Sequence, residues 1–310
     1  MCVGRRLAPC RSQCNQPQRP SDHLRICTKQ RLKRLASWLA VASLAVLVSV
    51  ASAGTFVWHQ MPFPFERLEE WPVSPQVEDR DGNALLRIVG DDDQWRDSVP
   101  LDEMSPWLAK ATIAAEDERF ADHCGVDHVA LLRAVLQNVD SGRIVSGAST
   151  LTMQLCRMTD DRPRTLTAKF VEAVRALQVE RRFSKDEIIE WYLNVAPYGG
   201  NVRGVEAASL KYFGKSASDL SLGEAALLAG LPQSPNRFRP DRFPVEAARR
   251  RDYVLKRLRE TGIVSEEQEQ LAKSESVESL LAVGRGGSRQ QLSTRQQNDV
   301  PTTGRHAAWM

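Results

Sequence analysis

The chain has 310 residues, of which 42% are hydrophobic, 26% charged and 6% aromatic, enough to bury one sizeable core with appendages. Its net charge of +3 conceals an asymmetry: residues 1–34 hold nine Lys/Arg against one Asp, so the remainder is acidic at −5. The basic segment abuts an apolar run and has no aromatic residues interleaved, which argues against nucleic acid as a partner.

That run, Leu35 to Val57, contains no charge and reaches the roughly 20 residues a helix needs to cross a bilayer. Lys29, Arg31, Lys33 and Arg34 immediately precede it and predict a cytoplasmic N-terminus, with Trp38 and Trp58 at the two interfaces. Ala51-Ser52-Ala53 before Gly54 also resembles a signal-peptide cleavage site, but a charged leader of some 34 residues is long for one, so an uncleaved anchor is expected. Either reading exports the chain beyond about residue 60. Cys2, Cys10, Cys14 and Cys27 precede the anchor and should stay reduced. Cys10, Cys14, His23 and Cys27 lack regular zinc-ligand spacing, so residues 1–34 read as a disordered basic tail. Residues 58–98 read as a linker, irregular at Pro62, Pro64, Pro72 and Pro75, then forming a short hairpin over Val77 to Val89 that turns at Asp81-Gly82-Asn83.

From Ser105 the pattern is helical. Ser105 as N-cap and Pro106 at the first helical position predict a helix through Phe120, with Glu116, Phe120 and His123 on one face. A carboxylate beside a ring and an imidazole is partly desolvated, and its pKa rises toward the range useful for proton transfer; the same pattern also suits a solvated acidic helix end. In GASTLTMQLCR, Gly147 to Arg157, a helix beginning at Ser149 or the glycine before it puts Thr150, Gln154 and Arg157 on one face and Leu151, Leu155 and Met158 on another. Hydroxyl, amide and guanidinium groups at a helix start, with outward N–H groups, suit a phosphate or sugar ligand; an ordinary amphipathic helix with a Ser N-cap reads equally well. Farther on, Ser184 with Glu187 and Ser221 with Glu224 form capping-box signatures, Gly214 ends the helix between them, and Pro232 stops the second. Pro244 to Thr261 is another amphipathic helix, and a short one begins near Ser265. After about Glu275 the Gly, Ser, Gln and Arg content predicts disorder through residue 310. The fold class expected is mostly α, with a catalytic domain over residues 99–274.

EDERFADHCG (Glu116 to Gly125), GASTLTMQLCR, AKFVE (Ala168 to Glu172), SKDEIIEWYLN (Ser184 to Asn194) and AASLKYFGKSASDLSLGEAALLAGLPQSP occur in the order and spacing of the five motifs of family 51 peptidoglycan glycosyltransferases. The chain resembles that family from about Pro100 to Leu258, and APYGGNVRGVEAAS with PQSPNRFRPDRFP is most similar to the 1C branch of class A penicillin-binding proteins. The resemblance implies a lysozyme-like helical domain with a membrane-associated jaw after a single transmembrane helix in the inner membrane. It implies polymerisation of lipid II: Glu116 as general base on the acceptor GlcNAc 4-hydroxyl, inverting attack on the donor MurNAc C1, and departure of undecaprenyl pyrophosphate. Thr150, Gln154, Arg157 and Lys169 match positions that stabilise the pyrophosphate. Glu172 matches a second glutamate that assists the leaving group or organises the basic residues, and with them a divalent cation (Mg or Mn), though no cofactor is required. Asp117, Phe120, His123, Gly125, Ser149 and Asn194 match positions that shape the site, His123 reading equally as a structural histidine. The implied partners are lipid II, the growing glycan strand, the membrane and cell wall synthesis proteins, with moenomycin as an inhibitor that mimics the donor. Cys124 and Cys156 lie in the first two motifs, so the resemblance also makes a disulfide between them conceivable.

Two departures stand out. Ala168 precedes Lys169 where many relatives have Arg, and Arg157 stands where many have Lys, keeping the charge with a different phosphate geometry. No Lys-Thr-Gly occurs downstream, nor a Ser-x-x-Lys with its partners, so crosslinking and penicillin binding are not expected. A lysozyme-like hydrolase with Glu116 as acid, and a non-catalytic scaffold of the synthesis machinery, are the alternative functions.

Overall fold

Helix α1 (Ser21–Gln60) dominates the first of two units, and its stretch Ser37–Gln60 is long and apolar enough to cross a membrane. The computed structural model describes residues 21–78, 80, 84–90, 93–142, 149–160 and 165–284. Within the stretch, the hydroxyls of Ser43, Ser49 and Thr55 donate back to the carbonyls of Ala40, Ala45 and Ser52, so these polar groups are satisfied without water. α1 starts at Ser21, so it takes in residues 21–34 of the segment expected as a disordered tail; Cys10 and Cys14 lie outside the described residues.

The second unit begins at Met61. Its first turns are not a free linker. Phe63 is buried and its N–H donates to Gln178 Oε1 at 2.8 Å, and α2 (Glu66–Glu69) buries Leu68. Strands β1 (Gln76–Glu78) and β2 (Ala84–Arg87) pair antiparallel on either side of residues 81–83, which lie outside the described set. A three-stranded sheet that the alternation of so few residues cannot signal joins β3 (Trp95–Arg96), β4 (Pro197–Gly199) and β5 (Val202–Arg203) in the order β3-β5-β4, with β3 and β5 parallel.

The remaining elements are helical: α3 (Pro106–Glu116), α4 (His128–Ser141), α5 (Leu151–Asp160), α6 (Leu166–Arg182), α7 (Lys185–Val195), α8 (Val205–Phe213), α9 (Leu222–Gly230), α10 (Pro244–Glu260), α11 (Glu266–Ser274) and α12 (Val277–Gly284). The protein is mostly α. α9, buried from Gly223 to Gly230, packs against α3 and α10, while α5 packs against α6 and α7. Both capping boxes form: Ser184 Oγ and Ser221 Oγ accept from the N–H groups of Glu187 and Glu224, whose carboxylates accept in return, and Gly214 closes α8 with a left-handed φ of 71°.

Two expectations are corrected. α3 stops at Glu116 rather than Phe120, because Asp117 leaves the helix to bond the backbone of α5, and residues 120–122 form only a 3-10 turn. α12 occupies part of the segment expected to be disordered after Glu275, because Val277 and Leu281 are buried as an i, i+4 pair and α12 packs on α8. Burial of one such side chain contributes about 1.5–3 kcal/mol, which outweighs an unfavourable composition.

Candidate active site

Glu116 is the last residue of α3, and the next residue ends the helix. Asp117 turns to φ −157° and ψ 72°, which brings its buried carboxylate under α5, where Oδ2 accepts the Leu151 N–H at 2.9 Å. His123 Nε2 contacts the same carboxylate at 3.0 Å and its Nδ1 accepts the Gly125 N–H at 3.1 Å. Two N–H groups of the first turn of α5 are thus used by protein: Leu151 by Asp117, Met153 by Thr150 Oγ1 at 3.2 Å. Thr150 is itself buried and donates to the Gly125 carbonyl at 2.6 Å. The Leu151 and Met153 N–H groups and the Thr150 hydroxyl lock the first motif onto the second.

The turn leaves the Glu116 carboxylate gripped from two sides. Gln154 Nε2 on α5 donates to Oε2 at 3.1 Å, and Arg250 Nη2 on α10 donates to Oε1 at 2.8 Å. Tyr192 OH lies 3.5 Å from Gln154 Oε1, on the far side of the amide from Glu116. Burial pushes the Glu116 carboxyl above its ordinary value, while Gln154, Arg250 and Arg157 pull it back. Beside it lies a cleft of about 160 Å³, lined by Glu116, Asp117, Ser149 and Thr150 from the expected set.

The other expected residues divide. Phe120 is buried, its ring 6.2 Å from the His123 ring and under the Lys185 ammonium, so both rings support the turn. Arg157, in the last turn of α5, is partly exposed and close enough to bias Glu116 electrostatically. Lys169 is exposed in the first turn of α6, whereas Glu172, one turn on, is buried near Cys156 and Arg175, so the two are not a solvated surface pair. The Asn194 side chain clips Val99, accepting from the N–H at 3.1 Å and donating to the carbonyl at 2.9 Å. Cys124 and Cys156 are free thiols, the first exposed and the second buried. Among the described residues no group of three or more His, Cys, Asp or Glu is placed to hold a metal ion.

Arg250 is absent from the expected set. Its signal lay in the sequence: the core stripe of α10 runs Ala247, Val254 and Leu258, and Arg250 and Arg251 fall on it. An arginine on a core face needs a partner. Arg251 finds the carbonyls of Lys273 and Glu275, and Arg250 finds Glu116 and the Gly230 carbonyl at 3.2 Å.

A carboxylate desolvated at a cleft and flanked by fixed donors is a candidate acid–base site. Residues 81–259 match the family model described as Transglycosylase. Penicillin-binding protein 1C of Escherichia coli (strain K12) is 40% identical over 79% of this chain and 31% of its own length. Penicillin-binding protein 1A of Aquifex aeolicus (strain VF5) is 39% identical over 76% of this chain and 32% of its own. A solved structure, penicillin-binding protein 1A from Haemophilus influenzae, aligns at a TM-score of 0.39 and 24% identity over 67% of this chain and 21% of that one. The family assignment rests on the sequence matches. The chain belongs to the transglycosylase family, as a glycosyltransferase domain of the class A penicillin-binding type. It spans about a third of the length of the curated relatives it matches.

Proposed function

We propose that the chain polymerises lipid II into glycan strands. The observation that carries this reading is Glu116: buried, raised in pKa, and held at a cleft by Gln154 and Arg250. Its carboxylate takes the proton of the acceptor GlcNAc 4-hydroxyl as that oxygen attacks C1 of the donor MurNAc. The C1–oxygen bond to pyrophosphate breaks, undecaprenyl pyrophosphate leaves with the electron pair, and α becomes β in one displacement. Negative charge gathers on the leaving group. Arg157, partly exposed, and Lys169, exposed, are the cations that meet it, while Ser149 shapes the cleft beside Glu116.

Gln154 and Thr150 act indirectly, Gln154 by orienting the base and Thr150 by fixing α5. Asp117, Phe120 and His123 hold the turn that presents Glu116, and Asn194 holds the segment around Val99. Glu172, buried one turn beyond Lys169 and close to Arg175, organises the basic residues around it.

A lipid-linked substrate calls for a protein at the membrane surface, and two features suit it. Ser37–Gln60 provides an anchor with the basic segment on the cytoplasmic side. α4 exposes Val129, Leu131, Leu132, Val135, Leu136 and Val139, an apolar surface that water disfavours and acyl chains accept. Conversion of lipid II to glycan strands by the detergent-purified chain tests the proposal, and failure of the folded protein to consume lipid II overturns it.

A further inference from the structure

We infer that Tyr253 is a sugar-stacking platform that seats the acceptor saccharide against Glu116, an assignment that rests on the glycosyltransferase reading. α10 brings two side chains, one turn apart, to Glu116 and to the cleft beside it. Arg250 grips the Glu116 carboxylate, and Tyr253 lines the same cleft while remaining 45% exposed. The Arg250 guanidinium lies over the Tyr253 ring, 4.8 Å from its centroid. One cation therefore fixes the ring and the base in a common frame, backing the first and pairing with the second.

Tyr253 does not serve the core. The buried stripe of α10 comprises Ala247, Arg250, Arg251, Val254, Leu255 and Leu258, and Tyr253 lies off it. Its apolar ring instead faces a cleft whose other walls include Glu118, Arg119 and Arg257. A pyranose presents an apolar face of C–H groups edged by hydroxyls. A flat aromatic surface ringed by carboxylate and guanidinium groups is the matching mould, and the tyrosine hydroxyl adds a polar tip.

Geometry favours the acceptor over the donor. The cations assigned to the donor pyrophosphate, Arg157 and Lys169, sit on α5 and α6, and α5 meets Glu116 through Oε2. Tyr253 belongs to the helix that meets the opposite oxygen, Oε1. The cleft that Tyr253 lines is bordered by neither Arg157 nor Lys169, so a saccharide on the ring meets the base apart from the cations assigned to the leaving group, as the nucleophile of an inverting displacement requires.

The test is steady-state polymerisation of lipid II by the full chain in detergent, for wild type, Tyr253→Ala, Tyr253→Leu and Tyr253→Phe, with moenomycin binding measured alongside. Loss of the aromatic face should raise KM for lipid II about tenfold in the Ala and Leu variants, with kcat little changed. Phe should keep KM within about threefold, and all four proteins should bind the donor mimic equally. A Leu variant with wild-type KM, or moenomycin binding lost in step with KM, overturns the platform and leaves the polymerase reading standing. Absence of polymer from the wild type overturns that reading and the platform with it.

Discussion

Arg250 and Glu116, 134 residues apart in sequence, meet at 2.8 Å, with their side chains 9% and 8% exposed. The pair joins α10 to the end of α3 at the point where the chemistry is assigned. A buried carboxylate alone would favour its neutral form; the guanidinium keeps the charged form available while leaving the pKa raised.

The pH profile has a definite sign. A general base works deprotonated, so activity is present above the Glu116 pKa and is lost as pH falls through it. Because burial raises that pKa, the acid limb of kcat/KM should lie above the range of an ordinary glutamate. Arg250→Ala removes a group that lowers the pKa, so the limb should move to still higher pH, and Arg250→Lys should move it less. A limb unmoved by Arg250→Ala would show that another group limits the rate.

Stability reports on the same pair. The raised pKa means that Glu116 itself favours the fold most when protonated, a contribution lost as pH rises through its folded value. Arg250→Ala strips one partner from a buried pair and also leaves the Gly230 carbonyl without this donor, and should cost about 3 kcal/mol in urea unfolding.

Asp117 should matter to the fold more than to the chemistry. Its carboxylate serves the Leu151 N–H and His123 together, so Asp117→Ala should destabilise by about 2–3 kcal/mol. A double-mutant cycle with His123→Ala should show coupling above about 0.5 kcal/mol. Additive losses would place the two residues in separate roles.

Gly125 tests the seam between the first motif and α6. Its φ is +90°, and an added Cβ would lie 2.8 Å from the backbone of Ala176. Gly125→Ala should therefore cost more than about 1 kcal/mol, combining strain with a clash that no side chain can relieve. A thermal midpoint unchanged from wild type would contradict the close packing.

Lys169 makes the opposite prediction. It is exposed, so Lys169→Ala should leave the thermal midpoint within about a degree while cutting kcat/KM about tenfold or more, with the loss steepest at low salt. Asn194→Ala should reverse the pattern by loosening Val99 and lowering the midpoint.

The helical framework was legible because its signals are local. Ser184, Ser221, Gly214 and Pro244 mark ends through their own backbones and near neighbours, and the helices begin or stop beside them. The end of α3 was not legible, since Asp117 leaves the helix to satisfy a backbone N–H 34 residues later. The partners of Thr150 and Asn194 were not legible for the same reason: Gly125 and Val99 are distant in sequence. Arg250 was readable in principle, as a charge on an apolar stripe, but which acid it meets is fixed only when α10 packs on α3 and α9. Motif spacing singled out Glu116; tertiary contact supplied the groups that tune it.

Glu116 as the base of a lipid II polymerase is tested most directly by polymerisation with the detergent-purified full chain beside Glu116→Gln, with moenomycin as probe. Wild type should yield moenomycin-sensitive glycan strands, and the folded variant should be slower by about 10²–10⁴. Equal polymer from both proteins would contradict the role of Glu116, and intact lipid II in both would contradict the polymerase itself.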